Sequence, residues 1–224
     1  MTKILATPLS LNELNFYLIR AIFGIGGSFS VATECARACS WLVRQGLPID
    51  ELLQGILSQD CPVSPEFCWQ FEGELQVLQS DTDVAPALYA GLVVGDRLCF
   101  GYQKIQIAKV DFPLLLAAQI IPRLPKDTAW KLSFGQENHV IIADGQVWFR
   151  GETFAKACGV LLETTTEIPS DTPIADCATQ VYQQGIELAD ATWDLLWKCF
   201  HRTLVPSNPE SHLQGAGAGT SDND

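Results

Sequence analysis

The residue types best suited to chemistry gather near the C-terminus. His201 and Arg202 are adjacent, and His212 lies a short way beyond. The chain then reads Gly215-Ala216-Gly217-Ala218-Gly219-Thr220-Ser221-Asp222-Asn223-Asp224. An arginine can grip a carboxylate or phosphate with two parallel hydrogen bonds. A histidine titrates near neutral pH, so His201 and His212 are the candidate proton carriers. Gly215, Gly217 and Gly219 leave backbone amides open to a close ligand, because no side chain intervenes. Thr220, Ser221 and Asn223 add hydrogen-bonding groups, and Asp222 and Asp224 add charge. With Arg202, these residues form the expected ligand-binding set, suited to a small anionic metabolite. A plainer reading fits the same residues. Basic groups at a helix C-terminus complement its dipole, and a polar Gly-rich end is a solvated tail.

Other site chemistries are excluded or weak. The Gly-rich run is not a phosphate-binding loop, since no Lys-Ser/Thr and no helix follow it. His212 with two aspartates at this spacing is a poor metal set, and no metal is expected. His139, the third histidine, stands beside a turn. No nucleophile elbow, zinc-protease helix or kinase signature occurs. No cofactor is identified.

Composition narrows the classes further. Of 224 residues, 47% are hydrophobic and 18% charged, which suits a globular chain. A net charge of -12 repels phosphate backbones and anionic lipid, so neither nucleic acid nor membrane is an expected partner. The eight cysteines include no Cys-x-x-Cys pair, which argues against a zinc knuckle. Met1–Ser10 has no long apolar stretch of the signal-peptide kind, so free thiols and a cytoplasmic location are expected. The apolar run at Phe112–Ile121 is too short to span a bilayer.

Local patterns then say which elements position these groups. Ser10-Leu11-Asn12-Glu13 is a capping box, and Leu14, Tyr17, Leu18, Ala21 and Ile22 follow helical spacing. Gly24, Gly26 and Gly27 should stop that helix. A second helix starts after Ser28 or Ser30, ends by Gly46, and turns Ala32, Cys35, Ala36, Cys39, Leu42 and Val43 inward. Asp50 caps a third, reaching Leu57. Cys61 to Asp83 reads mostly as loop. Gly95-Asp96 reads as a turn, with short strands at Leu98–Tyr102 and Ile105–Val110. Phe112–Leu124 is helical, with Pro113 tolerated in the first turn. Ala129–Phe134, Val140–Ala143 and Val147–Arg150 form an antiparallel meander, the last pair joined by Asp144-Gly145. Val160–Ile168 and Thr179–Leu188 add strands. Asp190 caps the last helix, Ala191–Leu204. Its apolar face, Trp193, Leu196, Trp197 and Phe200, is expected to cover the sheet.

Two stretches carry a family resemblance. One runs from Ser10-Leu11-Asn12-Glu13 through Gly24–Gly27, Glu34, Ala38 and Trp41-Leu42 to Gly46-Leu47-Pro48. The other is Arg202-Thr203-Leu204-Val205-Pro206 with Gly215–Gly219 and Asp222-Asn223-Asp224. Together they resemble the bacterial family known as domain of unknown function 3726. The resemblance implies a cytosolic bacterial protein of one α+β domain, and it carries no reaction, cofactor or catalytic set. It also favours an ordered, site-forming tail over a solvated one. The first helical pair further resembles the N-terminal helices of the bacterial malate and lactate dehydrogenase family unrelated to Rossmann enzymes. No nicotinamide cofactor is carried over from that likeness.

The expected architecture is α+β: a helical N-terminal region packed with an antiparallel sheet, then a C-terminal helix and Gly-rich tail. A single domain, residues 1–224, would comprise a helical hairpin region at 1–60, a mostly β part at 95–190, and helix plus tail at 190–224. Two functions fit. One is binding, with or without catalysis, of a small anionic metabolite between the last helix and the tail. The other is a non-catalytic assembly subunit, in which the tail docks into a protein partner or a second copy. Six tryptophans in an acidic chain suit the latter.

Overall fold

The computed structural model describes residues 8–60, 64–135, 138–151 and 157–204. Helix α1 (Leu11–Gly24) begins at the capping box. Glu13 N donates to Ser10 Oγ, and Ser10 N donates to the Glu13 carboxylate at 2.8 Å. Helix α2 (Phe29–Arg44) starts at Ser28 and buries the six residues expected to face inward. The two helices form a hairpin whose small residues permit close packing. Helix α3 (Asp50–Leu57) follows, with Ile49 rather than Asp50 at its N-cap. Asp50 instead accepts the amide of Ala189 at 2.8 Å, pinning the start of the last helix.

Residues expected as loop form a hairpin, β1 (Phe67–Glu72) and β2 (Leu75–Ser80). Its signal was faint because β1 is an edge strand with no fully buried residue. Gly73, at φ 65°, makes the turn. Helix α4 (Ala87–Cys99) then runs straight through Gly95-Asp96, so neither that turn nor a strand at Leu98–Tyr102 exists. Tertiary packing overrides the glycine here. A Cβ on Gly95 would lie 2.6 Å from Arg123 Cδ, and one on Gly91 would lie 1.9 Å from Gln119 Oε1. The two glycines, one turn apart, seat the side chains of the next helix.

That helix, α5 (Pro113–Ile120), follows β3 (Lys104–Val110) and is buried at every residue. A 3-10 turn, Ile121–Arg123, ends it. Strands β4 (Trp130–Phe134), β5 (Asn138–Ala143) and β6 (Gln146–Arg150) form the expected antiparallel meander. Asp144 and Gly145, at φ 50° and 75°, close its second turn. Strand β7 (Cys158–Thr164) inserts between β3 and β4. The segment expected as a further strand is instead helix α6 (Ala178–Gln184), after which Ile186 bridges Leu9.

The architecture is α+β, with a seven-stranded sheet ordered β1-β2-β3-β7-β4-β5-β6. It is mixed rather than wholly antiparallel, because α4 returns β3 parallel to β2. Helix α7 (Asp190–His201) does not cover the sheet. It packs on α1 and α3, and α5 with α2 and α4 forms the neighbouring layer. Gly24 explains the tight α1–α7 contact, since a Cβ there would meet the Cys199 carbonyl oxygen at 1.9 Å. No helix among the described residues is long and apolar enough to cross a membrane.

Candidate functional site

The structure places Arg202 and His201 at the exposed end of α7. Arg202 Nη1 donates to Asp60 Oδ1 at 3.3 Å and to the Gly24 carbonyl at 3.4 Å. The guanidinium therefore has a partner within the helical layer. His201 stands edge-on to Trp197, ring centroids 4.5 Å apart. His212, Gly215, Gly217, Gly219, Thr220, Ser221, Asp222, Asn223 and Asp224 lie outside the described residues. Among the described residues, no group of His, Cys, Asp or Glu gathers as a metal site.

A cavity of about 480 Å³ opens elsewhere, within the size range of small-molecule sites. Four separate segments build it. Trp41 and Gln45 come from the last turns of α2, and Ile121, Pro122, Leu124, Pro125 and Lys126 from the end of α5. Asp144, Gly145 and Gln146 come from the β5–β6 turn, and Pro173, Ile174 and Asp176 from the loop before α6. Backbone hydrogen bonds strap this last wall in place. Ile174 N donates to the Val147 carbonyl and Cys177 N to the Arg44 carbonyl, both at 2.7 Å. Arg44 also pairs with Asp176 at 3.4 Å. Gly46, at φ 68°, lets α2 end against Cys177, whose Sγ would lie 3.0 Å from a Cβ there.

The cleft has an apolar floor and a polar rim. Lys126 and Asp144 on that rim make no ion pair among the described residues, leaving them free for a ligand. The lining contains no histidine and no cysteine. In the sequence, Asp144 is marked only as a turn residue and Trp41 only as part of a motif. No spacing rule joins residues 41, 126, 144 and 176, so only the fold could bring them together.

Two other polar groups stand out, half-buried Asp111 and fully buried Gln119. Asp111, at the end of β3, accepts the amides of Ala87 and Phe112, both at 2.7 Å. Burial pushes its carboxyl pKa up, and those backbone hydrogen bonds oppose the shift. It thus joins the starts of α4 and α5 and has a structural explanation. Gln119 is different. Its side chain is buried, and neither carboxamide atom has a hydrogen-bond partner among the described residues. An unsatisfied buried amide costs about 1–3 kcal/mol.

Comparison with known proteins adds the fold alone. No family model matches the chain, and no curated protein does. Among solved structures, the chain is similar to malate dehydrogenase from Entamoeba histolytica, with TM-score 0.53 and 8% identity over 91% of this chain and 100% of that one. It is also similar to sulfolactate dehydrogenase from Methanocaldococcus jannaschii, with TM-score 0.58 and 6% identity over 87% of this chain and 97% of that one. Identities this low speak to architecture and carry no residue roles.

Proposed function

We propose that this chain binds a small anionic metabolite, and that the ligand sits in the cleft beside Trp41 rather than at Arg202 and the tail. The carrying observation is the cleft itself: an open apolar floor with an aromatic wall and an unpaired lysine, Lys126, on its rim. An indole wall offers a flat apolar surface, Lys126 is the cation that would meet the anionic group, and Asp144 on the same rim would accept from a hydroxyl or amine of the ligand. Arg202, by contrast, does not line this cleft and pairs with Asp60 and Gly24 at the exposed end of α7. The reading is one of binding, with Lys126, Asp144 and Asp176 as the titratable groups of the lining. A cytoplasmic location is part of the same proposal.

Ligand-observed NMR against a panel of small organic anions tests the proposal. Malate and sulfolactate, the acids for which the two enzymes of similar fold are named, belong in that panel. Binders should lose roughly tenfold in affinity in Trp41→Ala. The loss should be roughly three- to fivefold in Lys126→Gln, whose side chain is solvent-exposed. Arg202→Ala should leave affinity unchanged. Loss of binding in Arg202→Ala, with Trp41→Ala unaffected, would return the site to the C-terminus.

A second reading, an assembly subunit, is favoured by one observation. Phe16, Phe23 and Phe29 are exposed on α1 and α2, and Phe16 continues an aromatic cluster formed by Tyr17, Trp193, Trp197 and Phe200. Exposed aromatic patches of this kind mark protein interfaces. Light scattering tests it: a monomer at every concentration speaks against self-assembly.

A further inference from the structure

A second, smaller pocket of about 220 Å³ shares Pro122 with the cleft. Glu34, Arg37, Arg123 and Gln119 supply its polar lining. Arg37 Nη1 donates to Glu34 Oε1 at 3.0 Å, and Arg123 Nη2 donates to Glu34 Oε2 at 2.5 Å. Two guanidinium groups thus share one carboxylate, leaving one positive charge on a chain whose net charge is -12.

Arg123 is positioned rather than merely present. Its stem lies on Gly95 of α4, where a Cβ would come within 2.6 Å of Arg123 Cδ. Its Nη1 donates to the backbone carbonyl of Gln119. Gln119 lies one turn earlier, on Gly91, and keeps its buried carboxamide unpartnered. A buried amide without a partner commonly marks a missing water or ligand.

The helical repeat aligns the two pockets. Glu34, Ala38, Trp41 and Gln45 lie on one stripe of α2 at intervals of three or four residues. From Glu34 to Trp41 the stripe rises about 10 Å. Gln119, Pro122 and Lys126 form the facing wall at similar intervals.

We propose that Arg37 and Arg123, bridged by Glu34, form an oxyanion subsite that takes the carboxylate or phosphate end of an elongated ligand whose body lies against Trp41. The subsite deepens the reading given above and rests on it only for the body of the ligand. Glu34 orients both arginines in the empty pocket and competes with the incoming anion. Removing its charge therefore frees the arginines, whereas removing Arg37 weakens the grip.

Inorganic phosphate and acetate can occupy the arginine end alone, so they probe it separately from the cleft. The full chain is titrated with each anion at constant ionic strength, with chloride as control, while the Nε–Hε resonances of Arg37 and Arg123 are followed by NMR. Saturable shifts with phosphate or acetate, absent with chloride, are expected. Saturation by phosphate alone identifies a phosphate end, and saturation by both identifies a general oxyanion site. Glu34→Gln should tighten binding several-fold, and Arg37→Gln should weaken it about three- to fivefold, the range for an exposed charge. Arg37 is largely exposed, so its replacement leaves the fold intact. Trp41→Ala should leave the phosphate titration unchanged. That arm separates the two proposals, because a failed metabolite screen leaves it standing. Shifts that chloride reproduces, or equal affinity in Arg37→Gln and the natural chain, would overturn the subsite. Binding in Glu34→Gln no tighter than in the natural chain would remove the competing role given to that carboxylate.

Discussion

Asp111 shows how one side chain can hold two elements while working against its own solvation. Its Oδ1 accepts the first amide of α4 and the amide of Phe112. Removing it in Asp111→Ala should cost about 1–3 kcal/mol, since two capping hydrogen bonds go at once. Asp111→Asn keeps an acceptor and should cost less. The pH dependence has a defined sign. Burial raises the folded-state pKa, so the folded protein holds this proton more tightly than the unfolded chain does. The associated stability is present at acid pH and is lost as pH rises from the ordinary aspartate range through the raised value. The stability of the natural chain relative to Asp111→Asn should therefore fall across that window. Urea unfolding of both proteins at several pH values measures it, and a difference that grows with pH would contradict the assignment. Arg202 belongs to the same scale. Its pair with Asp60 is solvent-exposed, so Arg202→Ala should change stability by no more than about 1 kcal/mol.

Among the elements, glycines decide how closely helices approach. Gly24 lets α1 meet α7 at the backbone, and Gly91 lets α4 meet α5 at a side chain. The two contacts differ in what can yield. A Cβ at position 24 meets the carbonyl of Cys199, which moves only if α7 moves. At position 91 it meets the Gln119 carboxamide, which can rotate, though its Cβ at 2.8 Å also resists. Overpacking typically costs about 1–3 kcal/mol. Gly24→Ala should fall at or above the top of that range, and Gly91→Ala within it. Midpoints of urea unfolding rank the pair, and a smaller loss in Gly24→Ala would mean that α7 is not fixed by α1. The tight α1–α7 seam also accounts for Cys199, whose buried thiol has a raised pKa, chiefly from burial.

For the whole molecule, a net charge of -12 places a general repulsion on the compact state. Salt should relieve it. Raising ionic strength from low salt to about 0.15 M, where the Debye length is about 8 Å, should raise the melting midpoint. A midpoint that falls would mean that the paired surface charges outweigh the net repulsion. Against that field, the single positive charge that Arg37 and Arg123 keep around Glu34, and the unpaired Lys126, are local exceptions.

Neighbours a few residues apart suffice to dictate several parts of this protein. The capping box of α1, the inward stripe of α2, the proline start of α5 and the Asp144-Gly145 turn all rest on local hydrogen bonds, periodicity or allowed dihedrals. The tertiary structure alone decided the rest. Gly95 reads as a turn until Arg123 of another helix fills the space above it. Strand β1 has little alternation because its burial depends on being an edge. Helix α7 has an apolar face that sequence can find, but the partner of that face, α1 rather than the sheet, is set by the close approach at Gly24. The pair of Arg202 with Asp60 joins residues 142 positions apart, beyond any local pattern. The cleft is the extreme case. Its walls come from four segments whose meeting depends on the burial of the whole core, a cooperative quantity that no local pattern encodes.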